Sequence, residues 1–273
     1  MEKKMLLNKK ILAISCLAMI VAAPTFAEEV MLEEEVTSAL AEKTGLSGNV
    51  TLTSNYVYRG ISQTAGSATP QGGVDYAFEN NFYIGAWASG VSIFRNLYTQ
   101  TGGVEGAPNS RYELDTYAGY KNHVGNIGYD IGYLRYNFPG NYPGTKADTD
   151  EIYGELKYKI IAAKYSYSLG NTFANPQTRG TNYFELNALY PIESAGVALG
   201  AHYGKQTYKG VGAINANGES FSYSDYRLSV TKEFMEKYEV SLAYSKTNAT
   251  AAYTALGRNL GKGAFIASVT RMF

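Results

Sequence analysis

The sequence predicts an all-β fold, an antiparallel transmembrane β-barrel of about twelve strands, with long loops on one side and short turns on the other. Three observations predict it. From Gly48 onward, apolar and polar residues alternate with a period of two through a dozen short segments, the period of a strand whose two faces meet different surroundings. The connections between these segments alternate between short and long. The chain also holds 25 Tyr and 29 Gly against one Trp and seven Pro, a composition suited to many short strands and tight turns.

The chain opens differently. Lys3, Lys4, Lys9 and Lys10 precede an uncharged, mostly apolar run from Ile11 to Ala23, and Thr25-Phe26-Ala27 places small residues at the −3 and −1 positions of a cleavage site. Residues 1–27 therefore read as a secretory signal peptide, whose apolar run is too short to span a bilayer. Cys16 lies inside that run with apolar sequence continuing after it, which argues against a lipoprotein anchor. Removing the segment takes away the only cysteine and leaves 20 basic and 23 acidic residues, a net charge of −3. No basic patch points to nucleic acid, and no disulfide or thiol chemistry remains. No apolar stretch of 18 or more follows, so no transmembrane helix is expected. Residues 28–47 are acidic, with Leu32, Val36 and Leu40 at helical spacing. They read as a periplasmic lead-in or a short helix, and the barrel is expected over 48–273.

The expected strands run in order. The first is 50–59, with Val50, Leu52, Ser54, Tyr56 and Tyr58 on one face. Next come 73–78, 82–89, 112–120, 127–133, 152–158 and 161–169, then 183–190, 197–203, 225–230, 238–244 and 265–270. One face of each carries Val, Ile, Leu, Ala and Tyr; the other carries Gly, Ser, Thr, Asn and a charge in most strands. Apolar-out and polar-in is the pattern of a membrane barrel with a wet lumen; a soluble barrel with the apolar stripe turned inward is the competing reading. Five short turns, near residues 80, 121–126, 159, 191–196 and 232–237, alternate with six long loops. That fits an even-stranded barrel with both termini on the short-turn side. Tyr120, Tyr133, Tyr158, Tyr190, Tyr203 and Tyr244 end or nearly end apolar series, as interfacial aromatic girdles require. The chain ends in Phe273, an aromatic end common in such barrels, while Arg271 departs from the usual pattern.

The polar face supplies the candidate pore-lining residues. These are Arg59, Asp75, Glu113, Asp115, Asp130, Glu155, Lys157, Lys164, Glu185, Asp225, Arg227 and Glu239. Arg59, at the end of the first strand, is expected to pair with a lumen carboxylate such as Asp75. The loop 90–111 is long enough to fold inward as a constriction. Catalysis finds no constellation: a nucleophile needs an adjacent base, and only His123, in a short turn, and His202, on the polar face, are present. No metal-ligand spacing or phosphate-cradling loop is present, and no cofactor is implied. Asp148, Asp150 and Glu151 read as a solvated loop rather than a cation site.

Tyr58-Arg59-Gly60-Ile61-Ser62-Gln63-Thr64 resembles the best-marked motif of the TorF-like porin family. Pro70-Gln71-Gly72-Gly73-Val74-Asp75-Tyr76, Tyr112-Glu113-Leu114-Asp115 and Ile127-Gly128-Tyr129-Asp130-Ile131-Gly132 continue the resemblance. It implies a barrel in the Gram-negative outer membrane and suggests a pore for passive diffusion of small hydrophilic solutes or ions. The alternative is a non-conducting barrel whose surface loops bind a partner. Either way, outer-membrane lipid and, during biogenesis, the barrel-assembly machinery are its expected partners; the oligomeric state is left open. The first check is intact mass: envelope protein should begin at Glu28, and recovery of a chain starting at Met1 would remove the signal-peptide reading.

Overall fold

A computed structural model describes residues 44–100, 110–140, 142, 144–235 and 237–273. The expected signal peptide and the acidic segment as far as residue 43 lie outside them. The strands, in chain order, are β1 (Gly45–Thr53), the two-residue β2 (Val57–Tyr58) and β3 (Ile61–Ser62), β4 (Thr69–Ala77) and β5 (Phe82–Gly90). After helix α1 (Ile93–Gln100) come β6 (Tyr112–Val124), β7 (Ile127–Asn137), β8 (Thr149–Tyr158), β9 (Ile161–Ser168) and β10 (Asn182–Ile192). Then follow β11 (Val197–Thr207), β12 (Tyr223–Phe234), β13 (Tyr238–Thr247), the short β14 (Thr254–Ala255) and β15 (Arg258–Asn259), and β16 (Ala264–Met272).

The twelve longer strands form one closed barrel, each antiparallel to its neighbours. The sheet closes where β1 meets β16, with Asn49 opposite Met272 and Thr53 opposite Ser268. Gly48 and Phe273 exchange backbone hydrogen bonds of 2.9 and 3.0 Å beside that seam. β1 begins at Gly45, three residues before the expected start of the barrel at residue 48, and ends at Thr53, short of the expected 59. Connections of two to four residues follow β4, β6, β8, β10 and β12, and the six other connections are long. The expected asymmetry of turns and loops is present.

The two faces separate as the period-two pattern requires. Leu46, Val50, Leu52, Ile84, Ile131, Leu156, Leu228, Leu242 and Val269 point outward and are exposed. Thr51, Gln71, Asp75, Glu113, Asp115, Thr231 and Ser241 point inward and are buried. An outer wall of exposed aliphatic side chains is the surface hydrocarbon favours and water does not. Of the six tyrosines expected at the girdles, Tyr133, Tyr158, Tyr190 and Tyr244 stand outward and exposed among them, while Tyr120 and Tyr203 are half-buried.

The abundance of Tyr and Gly has a local cause. Inward tyrosines lie across inward glycines of the adjoining strand: Tyr117 over Gly85, Tyr83 over Gly119, Tyr153 over Gly132 and Tyr183 over Gly204. A methyl group at these glycines would sit 1.9 to 2.4 Å from the ring or its hydroxyl, well inside contact distance. Each tyrosine therefore lies flat along the wall instead of standing across the bore. Polar bonds tie the wall elsewhere, as between Thr51 and Thr270 across the seam (2.8 Å) and from Thr231 to Ser241 (3.0 Å).

The face assignment predicts an unequal response to charge at the centre of β12. Leu228 points out and its neighbour Ser229 is half-buried on the inner face. Leu228→Arg should cost about 2–4 kcal/mol in reversible unfolding from lipid, and Ser229→Arg less than about 1 kcal/mol. Equal losses, or the reverse order, would mean that the outer face does not meet hydrocarbon.

Candidate functional site

The motif after β1 does not continue the strand. β1 stops at Thr53 because Asn55, Ser62 and Thr64 bond one another: Ser62 Oγ donates to Asn55 Oδ1 at 2.6 Å, Thr64 Oγ1 donates to the same oxygen at 3.2 Å, and the Tyr56 amide donates to Thr64 Oγ1 at 3.1 Å. These bonds cinch a hairpin in which Val57 pairs with Ser62 and Tyr58 with Ile61. Its two turn residues, Arg59 and Gly60, have φ of 45° and 76°, the two positive values a type I′ turn demands. Gly60 is also required by space, since a Cβ would lie 2.4 Å from Thr247 Cγ2 and 2.5 Å from the Asp225 Cβ. The expectation that Tyr56 and Tyr58 share the lipid-facing stripe of the first strand is therefore wrong. Tyr56 is fully buried inside the barrel, edge-on to Trp87.

This hairpin spans the bore and touches most of the wall. Tyr56 Oη donates to Glu113 on β6 (3.0 Å). The Tyr58 hydroxyl meets that of Tyr136 on β7 at 2.6 Å. Arg59 forms a bidentate pair with Glu151 on β8, at 2.7 and 3.1 Å, and reaches Gln206 on β11 at 3.1 Å. Its guanidinium carbon stands 4.3 Å from the Tyr183 ring centroid on β10. Val57 packs with Ala243 and Ile266 on the remaining side. The pair is dry, with side chains 7% and 1% exposed. Burial opposes the charge on Arg59, but Glu151 together with Tyr58 and Tyr136 outweighs it and holds the arginine pKa well above its ordinary value. The expected partner, Asp75, instead accepts from Tyr117 Oη at 2.5 Å.

The twelve candidate lining residues all fall inside the wall, but they divide into two groups. Asp75, Glu113, Asp115, Asp225, Arg227 and Glu239 are buried, and so is the side chain of Arg59. Glu113 and Asp115 are almost fully buried, 2% and 0% exposed. Asp225 accepts from Tyr183 Oη (2.9 Å) and lies 3.0 Å from His202 Nε2, so His202 is held in a wall network. The other five are half-buried and adjacent. Asp130 on β7 stands opposite Glu155 on β8, Glu155 opposite Lys164 on β9, and Lys164 opposite Glu185 on β10. Lys157 shares the inner face of β8 with Glu155. They form one charged stretch of the inner wall from β7 to β10.

Sequence reasoning missed Glu151, which it placed in a solvated loop with Asp148 and Asp150. Its parity with Tyr153 and Glu155 was the available signal. Asp148 and Asp150 are engaged by Arg135, at 3.6 and 2.9 Å. It also placed the constriction in residues 90–111. Helix α1 in that loop does turn inward, with Ile93 and Phe94 buried, and Gln63 O accepts from the Ser92 and Ile93 amides at 2.8 and 3.0 Å. The bore itself is occupied by the shorter hairpin; residues 101–109 lie outside those described.

Above the hairpin, at the long-loop end, lies a cavity of about 590 Å³. Its floor includes Tyr58, Gln63, Glu113 and Gln206, and its walls are aromatic. Phe94, Phe138 and Phe173 form one connected arc, with ring centroids 4.7 and 6.3 Å apart. Phe221, Tyr253 and Tyr223 form another, at 5.8 and 5.1 Å.

No curated protein matches the chain. Among solved structures, the NanC porin superposes with a TM-score of 0.50 at 9% identity, over 84% of this chain and 98% of that one. The KdgM porin gives 0.48 at 8% identity over 83% and 99%. Omp33, an outer membrane protein of Acinetobacter baumannii, gives 0.45 at 7% identity over 84% and 98%. At 9% identity the likeness to NanC is one of fold. The sequence match is more direct, for a family model described as "Bacterial protein of unknown function (Gcw_chp)" covers residues 38–273. With that match spanning most of its length, the chain belongs to the Gcw_chp family of bacterial proteins.

Proposed function

We propose that this protein is a porin-like channel of the Gram-negative outer membrane, exported by its signal peptide, that passes small hydrophilic solutes or ions by diffusion. One observation carries the reading: a closed wall that is apolar outside and polar inside. Such a wall satisfies every ladder hydrogen bond without an open edge, as hydrocarbon demands, and it leaves an interior that water and solutes tolerate. The resemblance of the Arg59-Gly60 motif to TorF-like porins points the same way. Bore width is consistent with it, since twelve strands lie between barrels filled by side chains and those holding a wide aqueous channel.

The hairpin sets the terms of conduction. It fills the middle of the bore, so solutes pass beside it or when it shifts. That same filling favours a second reading, a barrel that does not conduct and presents its loops to a partner. Single-channel recording of the refolded barrel separates the two. Steady unit currents are expected, and a barrel that inserts with normal heat-modifiable mobility yet never passes current would leave only the second reading.

Two sets of variants test the details. Arg59→Gln removes one half of a buried ion pair, so it should cost about 3–5 kcal/mol of stability and raise unit conductance by loosening the hairpin. Unchanged conductance in a folded variant would mean that the hairpin is not the constriction. Fixed charges facing water set ion preference through the local potential, screened over about 10 Å at 0.1 M salt. Glu155→Gln with Glu185→Gln should therefore shift the reversal potential towards anions, by more than Glu113→Gln with Asp115→Asn. The opposite ranking would place the conducting path along β6 rather than along the charged wall.

A further inference from the structure

The vestibule above the hairpin has a chemistry of its own. From the lining of that cavity we infer that it is a binding site for a neutral saccharide of one or two rings, the solute the channel selects; the selecting role rests on the channel reading. The size fits, since about 590 Å³ lies within the range of ordinary small-molecule pockets. Two aromatic arcs face it, and Phe173 and Phe221, which line it and are only half-buried, offer apolar ring surface against which the C–H face of a sugar ring packs. Amide side chains occur between the arcs: Gln63, Asn175, Gln206, Asn215 and Asn217. Gln206 and Asn215 are bonded within the chain at both ends, and Asn217 is exposed at the rim. An amide offers a donor and an acceptor side by side, the complement of a hydroxyl that is both.

Charge narrows the class. The described lining includes two acids, Glu113 and Glu219, and no lysine, arginine or histidine. Arg59 lies below, turned to Glu151. An anionic sugar or organic acid would meet acids and no base. A wholly apolar solute would take water from the exposed Asn217 amide at the rim, a cost of about 1–3 kcal/mol for a group left unpaired. Tyr208 and Tyr253 supply neutral hydroxyls: burial pushes Tyr208 up to about 12, and burial with the neighbouring tyrosines Tyr208 and Tyr223 raises Tyr253 as well. Glu219 is itself tied to Asn215 Nδ2 at 2.7 Å, so it acts as an acceptor for a ligand hydroxyl more readily than as a free charge for a cation.

The test uses the refolded full-length mature barrel and two independent readouts: blockade of single-channel current, and titration of intrinsic fluorescence in detergent, which needs no current. The probes are maltose, glucuronate and tetramethylammonium. Maltose should block and bind, while glucuronate and tetramethylammonium bind at least about tenfold more weakly. Phe221→Ala should weaken maltose by about tenfold, the scale of one lost ring contact with its burial, and Phe221→Trp should restore it. If Phe221→Ala does not fold, Asn217→Ala on the rim takes its place with the same expectation of weakening. Binding of glucuronate or of the cation equal to that of maltose overturns the inference. So does maltose binding that neither Phe221→Ala nor Asn217→Ala alters. A barrel that conducts but binds no maltose overturns it and leaves the channel reading intact. A barrel that binds maltose and never conducts defeats the channel reading and keeps the vestibule as a saccharide site.

Discussion

A backbone amide in hydrocarbon has no water to bond, so its partner must be another backbone group. For a sheet this means that no edge can remain open. The β1–β16 seam satisfies that condition, and the other features depend on it. Closure divides the surface into an outer face and an inner face, and the period of two assigns alternate residues to each. Closure also fixes the bore, and with it the amount of side chain that the interior must either hold or leave to water. The Thr51–Thr270 hydroxyl contact and the Gly48–Phe273 backbone pair are local reinforcements of a join that the whole barrel needs.

Within the bore, two arrangements use the same tyrosine-rich composition. On the wall, tyrosine rings lie over glycines of the next strand, which keeps the rings flat and preserves lumen. At the centre, one short hairpin takes the space so kept. Its Arg59–Glu151 pair is dry, and a dry pair is not by itself a source of stability, because desolvation offsets much of the attraction. Its value is geometric. A bidentate guanidinium accepts few orientations, and with Gln206 beside it and the Tyr183 ring against it, these contacts define where the hairpin sits. The charges open to water are elsewhere, on the wall from β7 to β10.

The barrel was legible in the sequence because its cause is periodic. Alternation, the unequal loops and the girdle tyrosines are each repeated many times, so an error in one strand leaves the pattern standing. The site was less legible because its cause is not periodic. Tyr56 and Tyr58 keep the parity of Val50 and Leu52, and nothing in the alternation announces that the strand has ended at Thr53. The end is set by side-chain bonds among Asn55, Ser62 and Thr64, a local competition that the face pattern does not register. The Arg59-Gly60 pair was a readable turn signal, and its place within a resembling motif did single it out. Its partner was not readable, since Glu151 lies 92 residues away along the chain and only the closed barrel brings the two together.

The sequence spacing of these contacts also shows what holds the cylinder from within. The seam joins Thr51 to Thr270, a separation of 219 residues. The hairpin reaches Glu113, Glu151 and Gln206 over separations of 57, 92 and 147. Its anchors on β6, β8 and β11 therefore divide the long closure into shorter ones. In the closed barrel the hairpin is a former inside the cylinder, and its dimensions limit how tightly the sheet can curl where its two edges meet.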